Sequence, residues 1–172
     1  LNEWDCDLNE SSIGGTIYQV FLYTLIKNVV EPHLGKKLTE KYMGRGDHPL
    51  LLPVNELLGH STEALIRIFQ NPASKWVHSK QSALILIEKS LVESCLWLEK
   101  NMGYESSDWK WGNIHQIEFH HSLSVKKTLN RVFNKGPYPM GGDTDTIHQS
   151  AYNPSSPFHS TSWCPSNRFI LD

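Results

Sequence analysis

The stretch from Trp109 to Ile147 constrains this 172-residue chain most strongly, because it concentrates aromatic residues, histidines and glycines. A plain helical domain would carry mainly leucine, glutamate and lysine over the same length. Glycine pairs and Gly-Pro steps favour tight turns, whereas tryptophan and phenylalanine favour strands. The spacing of residues in this stretch is therefore the main source of inference, and the preceding residues supply its context.

The chain before this stretch has helical periodicity. A serine at Ser11–Ser12 can cap a helix whose apolar residues recur at helical spacing over Ile13–Val30. We expect Pro32 and Gly35 to end this helix, and residues 36–53 to form a loop. The predicted helix approaches the length of a membrane span, but polar and charged residues are spread along it, which favours a core helix.

Two more helices are predicted. The first covers Asn55–Phe69, and the second begins at a cap on Ser79 or Ser82 and ends at Gly103. The inward side of the second should consist of Ala83, Leu84, Ile87, Leu91, Cys95 and Leu98.

After Gly103 the apolar period shifts from 3.6 towards 2. Strands are predicted over residues 109–113, 115–119, 144–151 and 167–171, with loops over 133–142 and 155–165. Helices followed by strands indicate an α+β fold or an excised part of a layered fold. We treat residues 1–172 as one segment, helical over 11–102 and strand-rich over 108–172.

Charge and cysteine content narrow the class of protein. Sixteen basic and eighteen acidic residues give a net charge of −2, so no basic footprint indicates a nucleic-acid partner. Three widely separated cysteines indicate neither a disulfide framework nor a zinc knuckle. No signal peptide is visible, and we expect that the chain is cut at both ends.

The histidines of this stretch invite a metal-site hypothesis, which their spacing does not favour. His115, His120 and His121 stand at i, i+5 and i+6 and would point to different faces of a strand. We therefore expect no metal. His115 should hydrogen-bond the backbone inside the fold near Trp111, and His120 should be exposed.

No nucleophile is recognisable. The G-x-S-x-G pattern is absent from the sequence, and no serine has a distinctive setting. Gly141-Gly142-Asp143 fits either an anion-binding nest or a tight turn in which the aspartate caps backbone N–H groups. The tight turn is the favoured interpretation.

Four motifs occur in order: Trp109-x-Trp111-Gly112-x-x-His115, Phe119-x-His121-x-Leu123, Phe133-Asn134-x-Gly136-Pro137 and Gly141-Gly142-Asp143-x-Asp145-Thr146. Together they resemble the C-terminal half of the penicillin amidase family, whose members include penicillin, cephalosporin and acyl-homoserine-lactone acylases. The flanks agree, since Leu1-x-x-Trp4-Asp5 is similar to the family's L-x-x-W-D-G entry and Arg168–Asp172 to its S-x-R-x-x-x-D strand.

The resemblance has departures. Ser122 stands where the family usually has proline, Cys6 replaces the glycine that usually follows Trp-Asp, and a longer Ser/Pro loop spans Asn153–Ser166. These differences indicate a divergent member and leave the substrate open.

The resemblance implies an N-terminal nucleophile hydrolase with an αββα sandwich. Such an enzyme is a zymogen that cleaves itself, and the new N-terminal serine of the β chain attacks the amide with its own α-amino group as base. The family's nucleophile, early histidine and oxyanion asparagine lie upstream of the matched region. We therefore assign no catalytic residue here, and give structural roles to the signature residues Trp111, Gly112, His115, His121, Gly141, Gly142 and Asp143.

The resemblance also implies partners and a location. The partners would be the α chain and the rest of the β chain, the substrate an N-acyl amide, and the location periplasmic or secreted. The family implies no cofactor beyond a structural calcium, for which we identify no ligands in this chain.

Two alternatives stay open. The chain could be a non-catalytic interaction module that retained the fold segment and binds a partner through an exposed sheet edge. A small metal-dependent hydrolase that uses the histidines is the less favoured alternative.

Overall fold

The computed structural model describes residues 1–43, 61–71, 73–125, 127–152 and 161–164. Helices lead and short strands follow, so the chain has the predicted α+β character. The helices are α1 Ile13–Met43, α2 Ser61–Gln70, α3 Lys80–Met102, α4 Trp111–Ile114 and α5 Lys127–Phe133, with 3₁₀ turns at Ser106–Asp108 and Ser122–Val125. The strands are β1 Gln116–Phe119, β2 Lys135–Pro139, β3 Ala151–Tyr152 and β4 Thr161–Trp163.

Helix α1 begins where the sequence predicts but ends later. The Ser12 hydroxyl accepts a hydrogen bond from the Gly15 N–H, which satisfies one of the free amides of the first turn. Pro32 lies inside the helix, and the helical path is interrupted only at Gly35, with φ 72° and ψ 162°. The expected loop after Gly35 is therefore wrong as far as Met43, because helix resumes after the kink; the rest of that loop lies outside the described residues.

Helix α3 has the predicted ends and an unexpected inward face. Ser79 caps its start by accepting a hydrogen bond from the Ser82 N–H, and Gly103, at φ 95°, ends it. Ser90 and Ser94 are completely buried, whereas two leucines predicted to face inward are 55% exposed (Leu84) and 37% exposed (Leu91). That part of the prediction is wrong, because α3 is apolar on more than one side and the apolar pattern alone could not choose between them.

Helices α1 and α3 pack closely at the buried serines. The Asn28 side chain donates to the Ser90 hydroxyl at 3.0 Å and to the Glu93 carboxylate at 2.7 Å. The Ser90 and Ser94 hydroxyls in turn donate to backbone carbonyls one turn earlier. Small side chains with satisfied hydroxyls let the two helices approach each other without leaving a buried polar group unpaired.

The strands of the described residues form two small antiparallel ladders. β1 pairs with β2, aligning Ile117 with Tyr138. β3 pairs with β4, aligning Ala151 with Trp163. The predicted strand at 115–119 is thus confirmed, while the predicted loops at 133–142 and 155–165 are wrong where they contain β2 and β4, since ladder pairing overrides the local turn signal. The predicted strand at 167–171 lies outside the described residues.

Among the described residues, buried apolar side chains form two clusters, and both include residues of α1. One cluster surrounds the Trp109–Ile147 stretch and the other lies towards the far end of α1. The first contains Leu8, Val20, Leu98, Trp109, Trp111, Ile114 and Tyr152. The second contains Leu25, Ile26, Val29, Val30, Met43 and Leu65.

Among the described residues, no helix is both long enough and apolar enough to cross a bilayer.

Candidate functional site

Trp111 and His115 lie together at the centre of the first core cluster. The sequence predicted a strand at 109–113, but α4 forms one helical turn there, in which the His115 N–H donates to the Trp111 carbonyl at 2.8 Å. A spacing of four residues brings both rings to one side of a helix, where they stack with centroids 4.7 Å apart. The strand prediction is wrong because the same residues also satisfy this helical spacing.

The indole of Trp111 ties the helical turn to the glycine loop. Its Nε1–H donates to the Gly142 carbonyl at 2.9 Å, and the ring is completely buried. The edge of the Tyr152 ring lies against it with centroids 5.5 Å apart. A buried indole N–H needs an acceptor, and here that acceptor fixes the position of the loop.

The His115 ring hydrogen-bonds a serine side chain, whereas the sequence predicted a bond to the backbone. Its Nε2 lies 2.7 Å from the Ser150 Oγ, and both residues are completely buried. Burial lowers the pKa of His115 to about 4, and the nearby charge of His148 adds to the effect. The imidazole is therefore neutral near neutral pH.

A serine hydroxyl within reach of an imidazole has the composition of a nucleophile and base. The chemistry of that pair requires access for a substrate carbonyl and an imidazole that can accept a proton near neutral pH. Ser150 and His115 have no exposed surface, and the pKa of His115 is about 4. The pair is thus suited to holding β3 against α4 and not to attacking an amide.

Gly112 and Gly142 lie so close to neighbouring atoms that a side chain could not be accommodated. A Cβ on Gly112 would lie 2.7 Å from the Pro139 Cβ and 2.9 Å from the Glu10 Cβ. A Cβ on Gly142 would lie 1.9 Å from the His148 carbonyl oxygen, and its φ is +75°. Both positions exclude a side chain, because real Cβ atoms do not approach other atoms so closely.

The N-terminal segment lies across this site and is held by backbone hydrogen bonds. The Gly142 N–H donates to the Leu8 carbonyl, the Gly112 N–H to the Glu10 carbonyl and the Trp111 N–H to the Ser12 carbonyl, at 2.6–3.1 Å. A Cβ on Gly141 would lie 2.9 Å from the Leu8 carbonyl oxygen. The first and fourth signature motifs therefore contact the same short segment, which precedes α1.

Asp143 closes the glycine loop as the tight-turn interpretation predicted. Its Oδ1 accepts the N–H groups of Asp145 and Thr146 at 2.8 and 2.9 Å. Its own N–H donates to the Thr146 hydroxyl. The predicted strand over 144–151 is wrong up to Ser150, because this capped turn occupies the sequence and only Ala151–Tyr152 is extended.

The second carboxylate oxygen of Asp143 extends the network to α1. It accepts a hydrogen bond from the Gln19 amide, whose oxygen accepts one from the Tyr152 hydroxyl at 2.8 Å. Burial raises the pKa of Tyr152 well above its ordinary value, with further contributions from Asp143 and Asp145. The sequence did not identify Gln19, Ser150 or Tyr152 as site residues; a glutamine on the apolar side of α1 was the one available signal.

His121 belongs to a separate, exposed cluster. Its Nδ1 accepts the Leu123 N–H at 3.1 Å, and its ring stacks on Phe133. The side chain of Asn134 accepts the His121 N–H and contacts the His120 ring. His120 is exposed as predicted, with 67% of its side-chain surface accessible.

Within the described ranges, no group of three or more His, Cys, Asp or Glu side chains is placed to hold a metal ion. The Asp143 carboxylate, the strongest candidate ligand in the glycine loop, accepts three hydrogen bonds from the protein itself.

Cys6, which departs from the family pattern, has a backbone conformation that favours glycine. It has a φ of 64°, and among the described non-glycine residues it alone has a positive φ. Glycine adopts such a conformation without steric cost. The glycine usual after Trp-Asp in the family would therefore fit this position better than cysteine does.

Comparison with known proteins agrees with these motifs. The chain is 25% identical to an acyl-homoserine lactone acylase QuiP of Pseudomonas aeruginosa, and the match covers all of this chain and 21% of that protein. Proteins of the same name from Pseudomonas syringae pv. syringae and Pseudomonas fluorescens are 22% and 23% identical, and the chain covers 20% of each. It thus spans about one fifth of the length of these relatives. The penicillin amidase family model matches residues 1–172, and the chain belongs to that family.

Proposed function

We propose that this chain is one segment of an amide hydrolase that cleaves N-acyl amides, and that the segment holds the active-site framework without supplying a reacting group. Family membership and relatives named acylases support the reaction class. The proposed fold of the whole protein is the αββα sandwich of N-terminal nucleophile hydrolases. The nucleophile would be an N-terminal serine, exposed by autocatalytic cleavage, in a part of the protein other than these 172 residues.

The observation that carries this proposal is that the signature side chains form hydrogen bonds with other groups of the same chain. Trp111 holds the Gly142 carbonyl, His115 contacts Ser150, and Asp143 caps its own turn and accepts from Gln19. Of the signature side chains, His121 is exposed and its Nδ1 accepts the Leu123 N–H. Trp111, His115 and Asp143 all have internal hydrogen-bond partners. Such groups position a backbone and cannot at the same time accept a proton from substrate.

The proposed substrates are amides with an acyl chain, of the kind that acyl-homoserine-lactone and penicillin acylases hydrolyse. The partners are the remaining segments of the same precursor, and the proposed location is periplasmic or secreted. No cofactor enters the mechanism, because nucleophile, base and oxyanion donors are all supplied by the polypeptide.

Two assays with one chromogenic phenylacetyl amide test the proposal. The product of the complete reading frame should hydrolyse it, and Edman sequencing should identify a subunit that begins with serine. The 172-residue chain should give no turnover above buffer. Robust turnover by the chain alone, or labelling of Ser150 by a fluorophosphonate, would refute the assignment of the nucleophile to another segment.

A further inference from the structure

The outward face of α3 is apolar, although it points away from both core clusters. Ile85, Val92 and Leu96 are 56%, 59% and 58% exposed. They stand at i, i+7 and i+11, so they form one stripe along the helix. On the inward face, by contrast, Ser90 and Ser94 are completely buried.

The inward face also buries Leu98 completely, so aliphatic residues lie on both faces, whereas the outward face of a surface helix is normally polar. A helix that is apolar on both faces is typical of the interior of a larger protein. Exposed aliphatic patches of more than a few hundred Å² are unusual on a monomeric domain and mark interaction sites. The outward face of α3 therefore has the composition of a buried surface.

Charged rows border the stripe in a definite order. Seen down the helix, an acidic row of Glu88 and Glu99 lies on one side of the stripe. Lys89 and Lys100 lie on the other side, where Lys89 also pairs with Glu93 at 3.7 Å. Each pair is separated by about three helical turns and runs parallel to the stripe. An apolar centre between rows of opposite charge sets both the position and the direction of a packed partner.

We propose that Ile85, Val92 and Leu96 form the surface against which the remainder of the acylase polypeptide packs, through an apolar segment whose basic edge faces Glu88 and Glu99. This proposal rests on the proposed function, in which the chain is one segment of a longer amide hydrolase. About four fifths of the length of the P. aeruginosa relative lies outside its match to this chain, which covers 21% of it. That remainder is ample to supply the segment.

Photo-crosslinking in the product of the complete reading frame tests the surface. Benzoylphenylalanine replaces Val92 in one variant and Lys36, whose side chain is 80% exposed and flanked by charge, in a control. The Val92 probe should crosslink to polypeptide outside these 172 residues, and its yield should exceed that of the Lys36 probe by about tenfold. Peptide mapping by mass spectrometry identifies the partner.

Three results would overturn the proposal: crosslinks from position 92 to residues 44–60 or elsewhere in this segment, crosslinks between two copies, or a yield equal to that of Lys36. Hydrolysis of the chromogenic amide by the same preparations is scored separately. An active enzyme with one of these crosslink patterns refutes the surface alone. An inactive protein with the expected crosslink refutes the proposed reaction and leaves the surface supported.

Discussion

Acidification should destabilise this fold through one residue, His115. The imidazole is completely buried, stacks on Trp111 and contacts the Ser150 hydroxyl at 2.7 Å. Its pKa falls to about 4 because burial disfavours the charged form, with a smaller contribution from His148. In the unfolded chain the same group titrates near 6.5.

The two pKa values set both the sign and the size of the effect. Between about pH 6.5 and pH 4 the unfolded chain binds a proton at His115 and the folded chain does not, so the free energy of unfolding decreases as the pH falls. At about 1.36 kcal/mol for each pH unit, this interval corresponds to a loss of about 3 kcal/mol. Below about pH 4 both states bind the proton and the loss is complete.

Urea unfolding of wild type and His115→Gln, measured from about pH 7 to about pH 4.5, isolates this term. The glutamine can still contact Ser150 but does not titrate, so its free energy of unfolding should be lower at neutral pH and should fall less steeply. His120→Gln, at an exposed position, is the control and should follow wild type. Equal pH slopes for wild type and His115→Gln would refute the reasoning that burial suppresses protonation of His115.

Three further substitutions test the loop and the segment that lies across it. Gly142→Ala should lower the free energy of unfolding, measured in urea, by about 3 kcal/mol or more. Gly35→Ala is the control. Its φ of 72° is similar, but a Cβ there meets open space, so the substitution should cost about 1–2 kcal/mol. Equal costs would show that the contact with His148 is relieved by movement. Asp143→Ala removes the acceptor of two turn N–H groups and should lower the free energy of unfolding by about 2–3 kcal/mol. The control Asp5→Ala removes one exposed hydrogen bond of the same kind and should lower it by under about 0.5 kcal/mol. Cys6→Gly should stabilise the fold by up to about 1 kcal/mol and so raise its thermal midpoint, because glycine adopts the positive φ without strain. Cys6→Ala should not stabilise the fold. Stabilisation by both substitutions would point to the thiol instead of the backbone.

The sequence was informative where one local rule applied. The start of α3 follows from the hydroxyl of Ser79 and its end from a glycine at positive φ, and both were predictable. The turn at Asp143 followed from two glycines and an aspartate in succession. In these places the residues that determine the structure are adjacent in the chain.

Prediction failed where the same residues were compatible with two different local structures. Trp109, Trp111 and Asn113 alternate as in a strand, yet Trp111 and His115 are also one helical turn apart, and the stacked rings decide in favour of the turn. Both faces of α3 carry aliphatic residues, so periodicity could not show that Ser90 and Ser94 face inward. Packing against α1 determines that orientation.

The network around Asp143 was beyond prediction for a different reason. Gln19 lies 124 positions before Asp143 and 133 before Tyr152, and nothing in its own neighbourhood indicates those partners. A buried glutamine on α1 is a weak signal until the loop that satisfies it is known. The family resemblance identified the glycines and the aspartate of this site, and the structure shows their partners.

As proposed above, the residues around His115 and Asp143 support an acylase active site without taking part in the reaction. The most direct measurement is the kcat/KM of the complete protein for a chromogenic phenylacetyl amide, comparing wild type with His115→Gln at a temperature where both are folded by circular dichroism. A structural role predicts values within about threefold of each other. A loss of about a thousandfold in kcat with the fold intact would contradict the account, because it would place His115 in the chemistry.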